Sequence, residues 1–414
     1  MKKILNNQYL LYYLLWPIIV VPKEVQFILI ALILFLFLCQ RKKLYFDKLS
    51  LLVVLYLFVY GCSILYNLFV YSYNSERIFA TVNTFSIWIM ALFFYLHFKN
   101  NNIDIEKIKK ITFYNYLLLI GLWFVSIGMY YGIGMKDVTI LGKVLYYSEW
   151  FNQREVMRFV GIMDYTNLVI MFCLFFYPLF CWYVIENKGK FLRWLYILLG
   201  VMPIISTYSR SGYIVILIGI LFFVVKYLSK QLNKNLFIFL TLVVLSTMIA
   251  IFMYTDLSQI VVMTMYELVH AREGSNDSRT FLMQESIKVA LENSPIIGLG
   301  IKDRSVLGYP LGSHSTFVGF IYKTGIIGFM IGSLIFLVIN LKLIFLKDMV
   351  YKTILKVSLL LMSILFVVED IDGSNWLIVV YFIFVSILFN RNDKFHHSPK
   401  PLVSHEYRFN DNEG

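Results

Sequence analysis

Runs of about twenty apolar residues recur along the whole chain, and they constrain its fold more than any other feature. An α-helix of that length crosses the hydrocarbon core of a bilayer with all its backbone hydrogen bonds made internally. The chain is 15% charged, whereas soluble domains are about a quarter charged. We therefore predict an all-α polytopic membrane protein.

The apolar runs divide residues 1–390 into about twelve predicted transmembrane helices within a single membrane-embedded domain. These spans are 8–21, 25–40, 49–71, 78–98, 110–134, 161–185, 192–207, 211–228, 236–254, 316–340, 353–369 and 374–390.

Basic residues cluster after every second predicted span, from Arg41 to Arg391, and they set the orientation. Because Lys and Arg concentrate on the cytoplasmic side of membrane proteins, both termini are predicted to be cytoplasmic. The net charge of +12 then reflects topology, and no nucleic-acid partner is expected. The opposite side carries a loop at 135–160 and a long external loop at about 255–315, while the polar tail, 391–414, is predicted to be disordered.

The long external loop contains a predicted amphipathic helix. Asp277 or Ser278 is placed to cap it, and the helix should end before Pro295. This helix would lie on the outer leaflet or over a cavity in the bundle. Its predicted apolar face consists of Met283, Ile287, Ala290 and Leu291.

Two arginines on the predicted outer side are the strongest candidates for chemistry. Arg210 lies between two apolar runs, at the end of a tight helical hairpin. A charge at the membrane boundary needs a partner, although an arginine snorkelling at a helix end is the simpler alternative. Arg279 lies in the first turn of the predicted loop helix, where free N–H groups also attract anions. Together they predict an anion clamp, with an ordinary surface arginine as the alternative for Arg279.

His314 precedes the span that follows the long loop. A neutral imidazole can take a proton from a sugar hydroxyl near pH 7, although an interfacial histidine is the simpler alternative. His270, the other histidine of this loop, has no motif around it and is interpreted as solvated.

Further polar residues lie on the same predicted side. Arg158 can add positive potential or contact lipid head groups, and Asn167 can hydrogen-bond within the bundle. Asp370 and Asp372 have a spacing that can bind a divalent ion, and an acceptor-binding or general-base role is the next alternative, although an acidic external turn is common. We predict no metal site and no cofactor. Motifs for ATP hydrolysis, zinc proteolysis and serine hydrolysis are missing from the sequence.

In chain order, these residues resemble the bacterial O-antigen ligase and polysaccharide polymerase superfamily, of the Wzy type. The similarity covers about residues 150–345. Three positions depart from the pattern of that superfamily: Phe281 or Leu282 stands where Trp is frequent, Ser315 where Asn is frequent, and Lys323 where Glu is frequent. The segments that carry the resemblance are Arg158-x-x-Gly161 with Asn167, Ser209-Arg210-Ser211-Gly212, Arg279, residues 295–300, His314-Ser315 and residues 323–328.

The resemblance implies a metal-independent, GT-C-like glycosyltransferase at the outer face of the bacterial cytoplasmic membrane. Its substrates would be oligosaccharide repeat units linked to undecaprenyl pyrophosphate, and a polymerase would move the growing chain onto the next unit. Membrane lipids, a flippase and a chain-length regulator are the partners this implies. We assign catalysis to Arg210, Arg279 and His314, and substrate binding to Arg158, Asn167, Asp370 and Asp372.

Two alternatives stay open. A ligase of the same superfamily would transfer the finished glycan to another acceptor, and the departures at Ser315 and Lys323 favour a polymerase over it. A flippase or other transporter is a different class of protein. The long outer loop and the lack of a repeated pair of broken helices in the sequence disfavour it.

Overall fold

The computed structural model describes residues 9–40, 44–101, 103–151, 154–233, 273–346 and 350–390, together with residues 236, 239, 242, 243, 246 and 247. The predicted span at 236–254 is thus covered only at those isolated positions. His270 and the predicted disordered tail lie outside the described residues.

Helices dominate the described part of the chain. The helices are α1 Leu10–Tyr13, α2 Leu15–Val20, α3 Lys23–Leu38, α4 Lys48–Val70, α5 Ser75–Asn100, α6 Ile105–Ile127, α7 Thr166–Asn187, α8 Lys190–Ile205, α9 Arg210–Gln231, α10 Glu273–Asn293, α11 Thr316–Ile344, α12 Val350–Leu365 and α13 Asn375–Leu388. A π-helical turn at Gly128–Ile133 extends α6, and a 3₁₀ turn at Ile371–Gly373 precedes α13.

Five helices within the described residues are long and apolar enough to cross a membrane: α4, α5, α6 with its π-helical end, α7 and α11. Two shorter apolar helices cover Thr353–Leu365 and Asn375–Leu388. These findings confirm a polytopic membrane protein but do not establish twelve spans. The predicted first span is divided at Leu14 into two short helices, and the predicted seventh span corresponds to the 16 residues of α8.

The loop predicted at 135–160 contains a sheet, so the all-α prediction is wrong there. Its antiparallel strands are β1 Val138–Ile140, β2 Lys143–Phe151 and β3 Arg154–Phe159. Leu141 and Gly142 have φ values of 51° and 76°, as a two-residue hairpin turn requires. The aromatic and β-branched side chains of β2 favour a strand, and this signal was present in the sequence.

Polar contacts join the helix connections at two ends of the bundle. At one end, the Arg77 Nε of α5 donates to the carbonyl of Lys302, 2.6 Å away. We call this the loop end, because the sheet and residues 294–315 lie there. At the opposite end, Lys99 at the end of α5 pairs with Asp47 at the start of α4. The arrangement agrees with helices that cross the bundle in alternating directions.

Helix α11 is broken in its first half, at Gly325, where φ is 59° and ψ is −162°. The segment 295–300 lies against the break and satisfies backbone groups there. The N–H of Leu299 donates to the carbonyl of Tyr322 at 2.8 Å, and the N–H of Gly300 donates to that of Lys323 at 2.9 Å. A broken membrane helix needs such partners, since lipid offers none.

Glycine is required at two positions of segment 295–300, one facing α11 and the other facing α4. A Cβ on Gly298 would lie 2.4 Å from the Gly325 nitrogen, and one on Gly300 would lie 2.8 Å from the Cα of Ile64 in α4. Both residues also have positive φ, which other residues rarely adopt. The backbone of the loop is therefore fixed between α4 and α11, and it carries the residues that follow it to a defined place.

Helix α10 covers the loop end, but its start differs from the prediction. It begins at Glu273 rather than at Asp277 or Ser278, so Arg279 lies in its second turn. The argument that Arg279 sits among free N–H groups of a first turn is therefore wrong. The helix ends before Pro295, as predicted.

The buried face of α10 agrees with the prediction at Ala290 and is otherwise shifted by one residue. Leu291 is 45% exposed, while Met283 and Ile287 are half-buried. The residues that pack inward are Leu282, Ser286 and Ala290. Leu282 and Ala290 form a small core with Leu299, Leu311 and Tyr322. This core packs α10 against the segment that contains Leu299 and against α11.

Candidate active site

Glu369 lies at the centre of the polar contacts at the loop end. It follows α12, and its side chain is only 3% exposed. Its Oε1 accepts a hydrogen bond from Arg279 of α10 at 3.1 Å and another from the amide of Asn167 in α7. Its carbonyl accepts from the N–H and the hydroxyl of Thr316, at 3.0 and 2.9 Å. This one residue therefore joins α7, α10 and α11.

The position of Arg210 is linked to Glu369 through the hydrogen bonds of its neighbour Ser209. The Ser209 hydroxyl donates to the Oδ1 of Asn167 at 2.6 Å and caps α9 by accepting from the N–H of Gly212 at 3.1 Å. Arg210 is the first residue of α9 and is partly buried. Asn167 thus connects the start of α9 to Glu369, and the cap fixes where the arginine begins.

Three arginine charges act on one another at this point. Burial lowers the pKa of Arg210, and the charges of Arg279 and Arg158 lower it further. Like charges disfavour one another when they lie close in a poorly solvated place. A site of this kind favours a bound anion, because an anion relieves the repulsion.

Arg158 is held on several sides by protein groups. Its Nε donates to the carbonyl of Thr207 at 3.0 Å, and its terminal nitrogens donate to Tyr147, Glu149 and Thr166 at 2.8–2.9 Å. These bonds attach the sheet to the start of α7 and to the turn before α9. The charge of Arg158 adds positive potential at the site, and its hydrogen bonds stabilise the fold.

His314 lies at the same end, half-buried, two residues before Thr316. Burial lowers its pKa to about 4, and the positive charges of Arg279 and Lys302 contribute to the lowering. The imidazole is therefore neutral near pH 7. A neutral ring can donate one hydrogen bond and accept another without adding a charge.

The backbone is strained next to two of the candidate residues. Tyr208, two residues before Arg210, has a φ of 49°, and His314 itself has a φ of 65°. Such conformations cost a non-glycine residue about 1–3 kcal/mol and occur most often at functional sites. The cost is offset here by the contacts of Ser209 and by Ser315, which caps α11 through its hydroxyl at 3.4 Å from the N–H of Val318.

Asp370 and Asp372 are paired with lysines instead of being open to solvent. Lys302 bonds to Asp370 and lies 3.6 Å from Asp372. Asp372 also pairs with Lys323 and accepts from the indole of Trp88 at 2.9 Å. Burial alone would raise the pKa of Asp372, but the charges of Lys323 and Lys302 lower it. Both carboxylates therefore have lysine partners, and their assignment to substrate binding stays a prediction.

The lysine pairing also explains the departure at position 323. Lys323 is 1% exposed and Asp372 is 4% exposed, so the two charges compensate each other in the interior. Across the residues the structure describes, no group of three or more His, Cys, Asp or Glu side chains is arranged to hold a metal ion.

The structure brings Arg279 close enough to Arg210 and His314 for its charge to act on both. It also joins Arg279 to Asn167 through Glu369. Sequence reasoning missed the central position of Glu369 and the role of Lys302. The sequence signal for Glu369 was its place as the first residue of the acidic turn 369–372, on the predicted side that also carries several arginines.

The helices and the cationic cluster at their loop end define a polytopic membrane protein with a polar site at one end of the bundle. A model of the O-antigen ligase family matches residues 194–333, which is less than half of the chain. The matched residues lie within the segment that carries the resemblance, and the match supports the resemblance to the O-antigen ligase and polysaccharide polymerase superfamily. Members are membrane glycosyltransferase-like enzymes, ligases and polymerases.

The matched region is narrower than the 150–345 expected from the motifs. It contains Arg210, Arg279 and His314, whereas Arg158, Asn167 and the turn 369–372 lie outside it. No curated protein matches the chain.

Proposed function

We propose that this protein is a polysaccharide polymerase. It transfers a growing glycan from undecaprenyl pyrophosphate onto the next lipid-linked repeat unit, at the outer face of a bacterial cytoplasmic membrane. The observation that carries the proposal is the proximity of Arg210 and His314 to Arg279, within a region that the O-antigen ligase family matches, together with the bond from Arg279 to the buried Glu369.

The leaving group explains why arginines are needed. Negative charge develops on a pyrophosphate as its bond to the sugar breaks, and positive groups placed there lower the barrier. Arginine offers a planar fork that bonds two phosphate oxygens at once. Arg210 and Arg279 are the pair that would hold the pyrophosphate, and Arg158 adds positive potential behind them.

His314 contacts the reacting groups in this proposal. Because its pKa is about 4, the ring is neutral at the pH where the enzyme works. A neutral imidazole can donate its N–H to a phosphate oxygen or accept the proton of an acceptor hydroxyl.

The remaining parts of the proposal concern location, architecture and partners. The loop end faces the outside and both termini face the cytoplasm, because basic clusters follow every second predicted span. The architecture is GT-C-like, within one membrane domain over residues 1–390. A flippase that delivers the repeat units and a regulator of chain length are the protein partners.

A ligase is the second candidate, because the matching family is described as O-antigen ligase. Lys323 favours a polymerase, since it stands where ligases frequently carry Glu and here engages the buried Asp372.

Deletion of the gene in the host tests the proposal. Loss of a polymerase should leave acceptors that carry one repeat unit, whereas loss of a ligase should leave acceptors without any. A surface polysaccharide of unchanged length after deletion would refute both. Restoration of long polymer by the intact chain, at a normal protein level on an immunoblot, is the matched control.

A further inference from the structure

A buried carboxylate in an arginine-rich site calls for an explanation, because it would compete with a pyrophosphate for the same cations. Glu369 is 3% exposed and bonds to Arg279. Burial raises the pKa of Glu369, and the opposing effects of Arg279 and Asn167 do not cancel it. The carboxylate therefore has a higher proton affinity than an ordinary glutamate.

The groups around Glu369 come from each element packed against it. Arg279 comes from α10 and Asn167 from α7, Asp370 is its neighbour in the chain, and Tyr165 precedes α7. The pKa of Tyr165 is itself raised by burial and by the charges of Glu369 and Asp370. Arg279 is therefore the main cation that acts on this carboxylate, and any ligand that draws Arg279 away makes Glu369 more basic.

The two oxygens of the carboxylate are used unequally. Arg279 and Asn167 both donate to Oε1. Both hydrogen bonds that the described residues make to this carboxylate therefore end on Oε1 rather than on Oε2. One oxygen thus fixes the orientation of the group, and the other is left to accept a proton.

We propose that Glu369 is the proton acceptor of glycan transfer, taking the proton of the attacking acceptor hydroxyl on Oε2. The inference rests on the proposed function. It assigns the base to Glu369 and leaves His314 as a neutral hydrogen-bond donor to the pyrophosphate.

The step balances as a single displacement. The acceptor oxygen forms its bond to the anomeric carbon of the donor sugar while its proton passes to Glu369. The bond between that carbon and the pyrophosphate oxygen breaks, and its electron pair stays on the pyrophosphate, next to Arg210 and Arg279. After the products leave, Glu369 returns the proton to water.

Binding of the donor raises the proton affinity of Glu369. A pyrophosphate that bonds to Arg279 weakens the ion pair of Glu369 and brings negative charge near it, and both effects raise the proton affinity of the carboxylate. His314 is less suited to this task, because Arg279 and Lys302 disfavour a proton on its ring.

The test compares Glu369→Gln with the wild type in proteoliposomes supplied with lipid-linked repeat units. Glutamine keeps an acceptor oxygen for Arg279 but cannot take the proton. We expect kcat to fall by about 10²–10⁴-fold, the usual contribution of a general base, while the affinity for lipid-linked donor changes by less than about threefold. Glu292→Gln is the matched control, because Glu292 is 60% exposed on α10 and should leave turnover unchanged.

The pH profile separates a base from a positioning residue. In the wild type, kcat/KM should rise with pH through the pKa of Glu369, above the usual range of a glutamate. His314→Ala should keep this acidic limb at a lower rate, and Glu369→Gln should lose it. Turnover of Glu369→Gln within threefold of the wild type, or an acidic limb that disappears only in His314→Ala, would overturn the assignment.

A second variant covers the case in which Glu369→Gln does not reach the membrane. Glu369→Asp keeps a carboxylate, so it should retain an acidic limb at a displaced pH, and a limb at the wild-type pH would overturn the assignment. The wild-type reaction separates failure of the proposed function from failure of the Glu369 assignment. A wild type that elongates no glycan refutes the proposed function itself.

Discussion

The buried pair of Lys323 and Asp372 gives a prediction with a defined magnitude. Their side chains are 1% and 4% exposed, and they bond directly. Replacing Lys323 by Met leaves Asp372 in the interior, with the Lys302 ammonium 3.6 Å away as its remaining nearby cation. Breaking a buried ion pair from one side costs about 3–5 kcal/mol. Because Lys302 still compensates part of the charge, we expect the lower value, about 3 kcal/mol.

A double-mutant cycle tests that reasoning. Asp372→Asn should also destabilise the protein, since it leaves Lys323 uncompensated, but the two changes together should cost less than their sum. We expect a coupling free energy of about 1–3 kcal/mol, as for residues in direct contact.

The measurement is the free energy of unfolding of the purified protein in detergent. Lys288→Ala is the control, because Lys288 is 72% exposed and 3.9 Å from Glu292, and exposed pairs contribute about 0–1 kcal/mol. Additive costs for Lys323 and Asp372 would refute the view that their charges compensate each other.

Three further predictions concern the site and the topology. Arg210→Ala and Arg279→Ala should each lower the transfer rate about a hundredfold or more, since one lost donor at a developing charge costs about 3–4 kcal/mol. Replacement of either arginine by lysine should also impair transfer, whereas the control Arg304→Ala should be near normal. Long polymer from an alanine variant at a normal protein level would refute the anion clamp. Polymerisation should survive EDTA, and activity lost to EDTA and restored by a divalent ion would give the acidic turn a catalytic role. A reporter fused after Arg391 should be cytoplasmic and one at Gly274 external, whereas both on one side would contradict the topology.

Apolar periodicity was enough to predict the membrane class and the positions of the long helices. It failed where local sequence competes with that pattern. The strands β2 and β3 were interpreted as a loop because they are short and lie between two apolar runs, although Leu141-Gly142 and the aromatic residues of β2 favour a hairpin. The start of α10 was placed at Asp277 or Ser278 because a good capping residue was taken as the boundary, and the helix continues upstream of both to Glu273.

The arrangement of the site could be predicted only in part. Arg210, Arg279 and His314 follow from motif order and topology, and all three lie at the loop end. The bond between Asn167 and Glu369 joins residues 202 positions apart, so no local pattern reports it. Asp370 and Asp372 were interpreted as an open pair for the same reason, since their lysine partners come from distant parts of the chain.

A single-turnover reaction tests the central claim most directly. Purified protein in proteoliposomes, without added metal, would receive one lipid-linked repeat unit as donor and a labelled second unit as acceptor. The account predicts a labelled two-unit product and one undecaprenyl pyrophosphate released for each product formed, with the rate of both lowered about a hundredfold or more in Arg279→Ala and also lowered in His314→Ala. Movement of the labelled unit across the bilayer without any joined product would contradict the account, and so would a two-unit product that forms equally well without Arg279.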